Sequence, residues 1–206
     1  MLDLTRRRAL EWGTATTSHA DRRVSGDVAV VVPTADGALL AAIDGLGRGE
    51  EAAHAALAAR ATVLETADYG VVPIAERCHR AMAGTRGAAV ALACVSTLTS
   101  TFSWLGVGTV AGRLVTGDRP RAHAKASLDL RRGVLGDGLP TLEAVTFAIG
   151  YGDVLILATD GIAARFADEL DVTGTPRDIA ERIVSSHWNG TDDAVVVVLR
   201  YLGTPT

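Results

Sequence analysis

The chain has 206 residues, 48% of them hydrophobic, and a formal net charge of −4. That length suits one domain over residues 1–206 with a sizeable core. The mild acidity argues against a nucleic-acid partner, which favours a basic face, and for a site that attracts cations.

The residues after Arg8 are too polar for a signal peptide, and no apolar run approaches membrane-spanning length, so a cytoplasmic protein with no membrane association is expected. Arg6, Arg7 and Arg8 form the only three-residue basic run and read as a solvated end. In chain order, "ALEWGTATT" predicts a strand, and "DVAVVVP" and "ALLAAID" a hairpin turned through "TADG". Helical patterns follow at 49–66 and 73–83, the second opened by Pro73, which suits a first helical turn. Strands are predicted at 87–96, 101–108 and 109–117, then at 143–149, 153–160 and 193–201. Between the last two lie helical stretches at 161–170 and 176–187. Cys78 and Cys94 are the only cysteines; far from any CxxC spacing, they read as reduced core thiols.

Strands come in runs and helices in pairs, which predicts an α+β fold of packed antiparallel sheets flanked by helices. The pattern weakens "GLGRGE" as a dinucleotide loop, which needs a following parallel strand, and no Gly-Lys-Ser/Thr completes a phosphate loop.

Four strand boundaries carry acids. "ALLAAID" ends on Asp44 before Gly45 and Gly47, "LILATDG" runs into Asp160-Gly161, "TDD" places Asp192 and Asp193 before "AVVVVLRY", and "SGD" puts Asp27 before "VAVVV". Each alone is as well explained by a turn or helix cap. Together, carboxylates converging from separate strands repel unless cations sit between them. Oxygen-only donors select hard ions, magnesium or manganese, over zinc. The five histidines are scattered without ligand spacing. Such a set is the equipment of a two-metal phosphoryl hydrolase.

The ordered motifs "SGD", "DGLG", "TDG" and "DD" before a terminal strand resemble the metal-dependent type 2C protein phosphatases, and more narrowly their SpoIIE branch. "ERCHRAMAGTRGAAVAL", "GVGTV" and "GVLGDGLP" are similar to the small free-standing phosphatases of the stressosome, collinear over nearly the whole chain. The resemblance implies two face-to-face antiparallel sheets with helices outside. It implies two divalent ions, manganese or magnesium, bridged by Asp44. The Gly45 carbonyl would bind one ion, Asp160 and Asp192 the first, and Asp27 the second, directly or through water. Asp44 and Asp160 would be the catalytic core, with Asp193 the lesser member of its pair. Ser25, Ser96 and the cysteines would have no catalytic part.

The implied activity is hydrolysis of phosphoserine or phosphothreonine on a bacterial stress-pathway partner, of STAS-domain or anti-sigma-antagonist type. The helices leaving Asp44 would be the control element, and Gly45 and Gly47 would bare the backbone to metal and phosphate. Departures are Leu46 where many type 2C enzymes carry histidine, Ser25 for the first glycine of Gly-Gly-Asp, Thr109 for asparagine, and Ala194-Val195 for the final Ile/Leu-Thr. Arg22 and Arg23 could meet phosphate but read better as solvent-facing. Two alternatives stay open, a catalytically weak binding module on this fold and a hydrolase of small phosphoesters.

Overall fold

Burial on both faces explains why the central strands are unbroken apolar runs, whereas a half-exposed strand would alternate. In the computed structural model, which describes residues 9–18, 24–117, 124–168 and 170–203, two sheets stack with helices on both outer faces. Arg6, Arg7, Arg8, Arg22, Arg23, His19 and His123 lie outside the described residues.

The first sheet runs β1 (Leu10–Thr17), β11 (Ala194–Tyr201), β10 (Val154–Ala158), β6 (Ala111–Val115), β7 (Ala124–Ser127). The second runs β2 (Asp27–Thr34), β3 (Gly37–Gly45), β4 (Ala88–Ser96), β5 (Thr101–Val107), β8 (Leu130–Arg131), with β9 (Val145–Ala148) also on β5. α1 (Glu50–Glu65) and α2 (Val71–Ala81) cover the second sheet, and α3 (Pro176–His187) the first.

The alternation of β3 serves two cores at once. Ala38, Leu40 and Ala42 face the other sheet, while Leu39, Ala41 and Ile43 face α1 and α2. The buried side of α1 is nearly all alanine (Ala52, Ala53, Ala55, Ala56, Ala59, then Val63), which lets the helix axis approach the sheet closely. α3 is started by a complete capping box between Thr175 and Asp178, with Pro176 in its first turn. No helix among the described residues is long and apolar enough to cross a membrane.

Three local expectations need correction. Within the predicted helix 161–170, the described residues 161–168 form not an α-helix but a turn and one 3-10 turn, Ala164–Ala167. Ile162 bridges Trp188 and the Ala163 N–H donates to the His187 carbonyl (2.8 Å), so tertiary backbone pairing draws the segment out of helical geometry. α2 starts at Val71, two residues before Pro73; the proline still falls among the first N–H positions, which have no intrahelical acceptor. The sheets are not wholly antiparallel either, because the unpredicted two-residue β8 pairs with β5 in parallel. β7 also went unpredicted, as "AKAS" is short and mostly exposed.

Candidate metal centre

Strand periodicity builds the site. Successive side chains alternate faces, so Asp44 shares the inter-sheet face of Leu40 and Ala42, and Asp27 shares that of Ala29 and Val31. On the opposing sheet Asp193 continues the row of Val195, Val197 and Leu199, and Thr159 continues Leu155 and Leu157. All four polar residues reach the same end of the inter-sheet core. Asp160 and Asp192, one residue further out, stand in the loops at its mouth, the first exposed and the second half-buried.

Asp27 and Asp44 are direct register partners on β2 and β3. Asp27 is 9% exposed, and its Oδ2 is buried without a hydrogen-bond partner. Burial pushes its carboxyl up to about 7; the Thr159 hydroxyl pulls it partly back, and the charges of Asp193, Asp160 and Asp192 raise it further. Asp44 is pushed up to about 8, by burial first and then by Asp27, Asp160 and Asp192. Among the described residues, none of the groups acting on this pair is a cation. Neither carboxyl is readily ionised at neutral pH unless positive charge enters between them.

Hydrogen bonds fix the loops that carry the other acids. Asp193 turns inward, and its Oδ2 accepts from the Gly26 N–H at 2.9 Å, joining the two sheets beside Asp27. Asp192 Oδ1 accepts from the Asp193 N–H (2.8 Å), and the Asp192 carbonyl accepts from Trp188 Nε1 (2.7 Å). The Asn189 amide nitrogen donates to the Asp160 carbonyl (3.2 Å), while its Oδ1 accepts from the N–H groups of Thr191 (2.9 Å) and Asp192 (3.3 Å). Asn189 thus couples the two loops.

Thr159, Asn189 and the cross-sheet role of Asp193 went unread in the sequence. Parity along "LILAT" and "DAVVVV" could have found Thr159 and Asp193; nothing local marks Asn189.

The glycines after Asp44 do a different job from the one expected. A Cβ on Gly45 would lie 2.1 Å from the Ala52 carbonyl oxygen, so this glycine admits the backbone of α1. Gly47, at φ +100°, lies under Arg86, whose Nε is 2.8 Å from where a Cβ would be. The bare backbone at Gly45 is thus covered by protein, whereas Gly47 stays exposed beside Arg86. Gly161, after Asp160, is equally constrained, with the Asp193 carbonyl oxygen 2.0 Å from its Cβ position.

The donor chemistry fits a hard divalent cation: oxygen only, with a buried unpartnered carboxylate oxygen and two carboxyls raised by crowding. Among the described residues no three Asp, Glu, His or Cys side chains form a ready ion cage, so water and backbone carbonyl oxygen would complete any coordination. The described histidines stand elsewhere: His54 is exposed on α1, His79 Nδ1 accepts from the Gly136 N–H (3.0 Å), and His187 is buried at the end of α3. Both cysteines are free; burial raises both thiols, that of Cys78 to about 12, in keeping with inert core roles.

The chain matches the family model described as stage II sporulation protein E (SpoIIE) over residues 34–202. No curated protein matches it. A solved chain of the bacterial stressosome, described as a modular system adapted to control secondary messenger signalling, is 28% identical with TM-score 0.81, covering 93% of this chain and 99% of that one. RsbX in complex with magnesium is 20% identical with TM-score 0.80, over 93% of this chain and 95% of that one. The catalytic domain of the serine/threonine phosphatase PstP, in complex with two manganese ions, is 17% identical with TM-score 0.73, over 94% and 98%. At these lower identities the last two show a common fold.

Proposed function

The chain belongs to the SpoIIE family and is homologous to PP2C-type serine/threonine phosphatases, and from that premise we propose that residues 1–206 act as one domain that hydrolyses phosphoserine or phosphothreonine on a partner protein. The observation that carries this reading is the Asp27–Asp44 pair: two carboxyls in register, crowded, and one with a buried unpartnered oxygen. Asp44 would be shared by two ions with the Gly45 carbonyl beside it; Asp160 and Asp192 would serve the first ion, and Asp27 the second, directly or through water.

Two divalent ions, manganese or magnesium, supply an acidified water and neutralise charge on the phosphoryl oxygens. The protein's own part is placement. β3 holds Asp44 at the end of a fully buried strand, and Thr159 favours the charged form of Asp27. Asn189 keeps the Asp160 and Asp192 loops at fixed separation. Leu46 has no proton to give, so the leaving oxygen takes its proton from water at the open mouth. The stressosome relative supports a protein partner in such a system; the substrate we propose is a phosphorylated STAS-domain or anti-sigma-antagonist type protein of the cytoplasm.

The test is hydrolysis of para-nitrophenyl phosphate by purified protein with manganese or magnesium, then with excess chelator, then with metal restored. Activity is expected to vanish and return, and undiminished hydrolysis in chelator refutes the reading. Tight partner binding without hydrolysis under any metal would favour the binding-module alternative.

A further inference from the structure

Arg86 occupies a turn whose base is fixed and whose head is exposed to solvent. Thr85 Oγ1 accepts from the Gly87 N–H (3.0 Å) and donates to the Met82 carbonyl (2.7 Å). The Gly87 carbonyl accepts from the Leu46 N–H (2.9 Å), which ties this turn to the loop leaving Asp44. Ala88 and Leu135 exchange both backbone bonds, at 2.9 and 3.0 Å. Gly87, at φ +76°, faces the Leu135 carbonyl oxygen 2.5 Å from its Cβ position, so the turn admits no side chain there.

From this base the Arg86 side chain lies across Gly47, and 56% of it is exposed. At most about 10 Å of chain separates Gly47 from Asp44. The Arg86 Nη1 donates to Glu51 Oε2 at 3.0 Å, in the first turn of α1, and the Glu51 side chain is 71% exposed. An ion pair so open to water contributes little to stability, so stability does not explain a turn built with such care. The neighbouring mouth is lined by Asp27, Asp44, Asp160, Asp192 and Asp193, carboxyl groups that offer a phosphoryl dianion no positive charge of their own. A guanidinium at its rim offers planar, paired donors that match phosphate oxygens.

We propose that Arg86 receives the substrate's phosphoryl group and that Glu51 holds it in readiness, the phosphoryl oxygens displacing the Glu51 carboxylate when substrate arrives. The exchange moves an ion-pair partner and breaks no covalent bond. This assignment rests on the phosphatase reading of the carboxylate site.

Kinetics with para-nitrophenyl phosphate in manganese, and calorimetry with inorganic phosphate in magnesium, test it on Arg86→Ala, Arg86→Lys and Glu51→Gln. Arg86→Ala is expected to raise KM and weaken phosphate binding by about ten- to a hundredfold, as for loss of charge-assisted hydrogen bonds. The manganese concentration giving half-maximal rate should stay unchanged, and Arg86→Lys should recover part of the loss. Glu51→Gln, which releases the guanidinium, is expected to shift KM and phosphate affinity the opposite way. Unchanged phosphate affinity in Arg86→Ala overturns the proposal. So does a Glu51→Gln variant weakened alongside it, because a pair that merely steadies α1 would make both losses alike. If the wild type hydrolyses no phosphoester yet binds phosphate through Arg86, the phosphatase reading fails and the assignment stands.

Discussion

Replacing Asp44 by asparagine should separate what the carboxylate does for catalysis from what it costs the fold. The side chain keeps its size and its place on the inter-sheet face, so no cavity opens. In the metal-free protein the folded-state pKa of Asp44 is about 8, against 3.8 for the ordinary carboxyl. A raised pKa means that the folded state holds a proton which the unfolded chain releases. The associated stability is therefore intact below about pH 4 and is lost as pH rises through 7 and 8. At pH 7 the gap of roughly three pKa units, at about 1.4 kcal/mol each, sets a ceiling of about 4 kcal/mol. Asp27 shares the burden and solvent at the mouth screens it, so Asp44→Asn should gain about 1–2 kcal/mol at pH 7 and little at pH 4.5. Urea denaturation in chelator at both pH values measures this. With manganese the same variant should lose turnover on the order of a thousandfold, as for removal of a transition-state interaction. Asp193→Asn should lose less. An Asp44→Asn variant that is less stable than wild type at pH 7 without metal, or that turns over at a near-normal rate with it, refutes the reasoning.

Gly45→Ala must push against the Ala52 carbonyl oxygen and should destabilise the protein by about 1–3 kcal/mol through overpacking, read as a lowered urea midpoint together with weaker manganese binding. Manganese affinity should climb between about pH 6 and pH 8, because Asp27 and Asp44 must give up protons to bind it; calorimetry in buffers of different ionisation enthalpy should find proton release that declines above pH 8. Hydrogen exchange in α1 and α2 should slow when manganese binds, since α1 sits directly on Gly45; exchange indifferent to metal would remove these helices as a control element.

Long elements with strong periodicity were legible from sequence. β3, β4, β10 and β11 announce themselves as apolar runs, and α3 by its cap and proline. The acids at strand ends were legible too, because a charge closing a buried run has few inert explanations when it recurs. What stayed hidden depends on partners distant in sequence. The segment from Gly161 to Leu170 has helical composition, but the Ala163 N–H donates to His187 and the Gly161 carbonyl accepts from Asn189, far along the chain. Gly45 and Gly47 looked like openings because a sequence records an absent side chain and not the helix or the arginine that fills the space. Asp193 was ranked below Asp192, and only the facing sheet reveals its bond to Gly26.

Asp27 and Asp44 come from one sheet, Asp160 and Asp192 from the other. A cation held by both pairs is a cross-link that neither sheet can form alone and that the unfolded chain does not possess. Mass action then ties the lifetime of the folded protein to the free ion: a hundredfold excess over the dissociation constant adds about 2.7 kcal/mol. Under the proposed metal binding, protease resistance would rise with divalent metal along with activity.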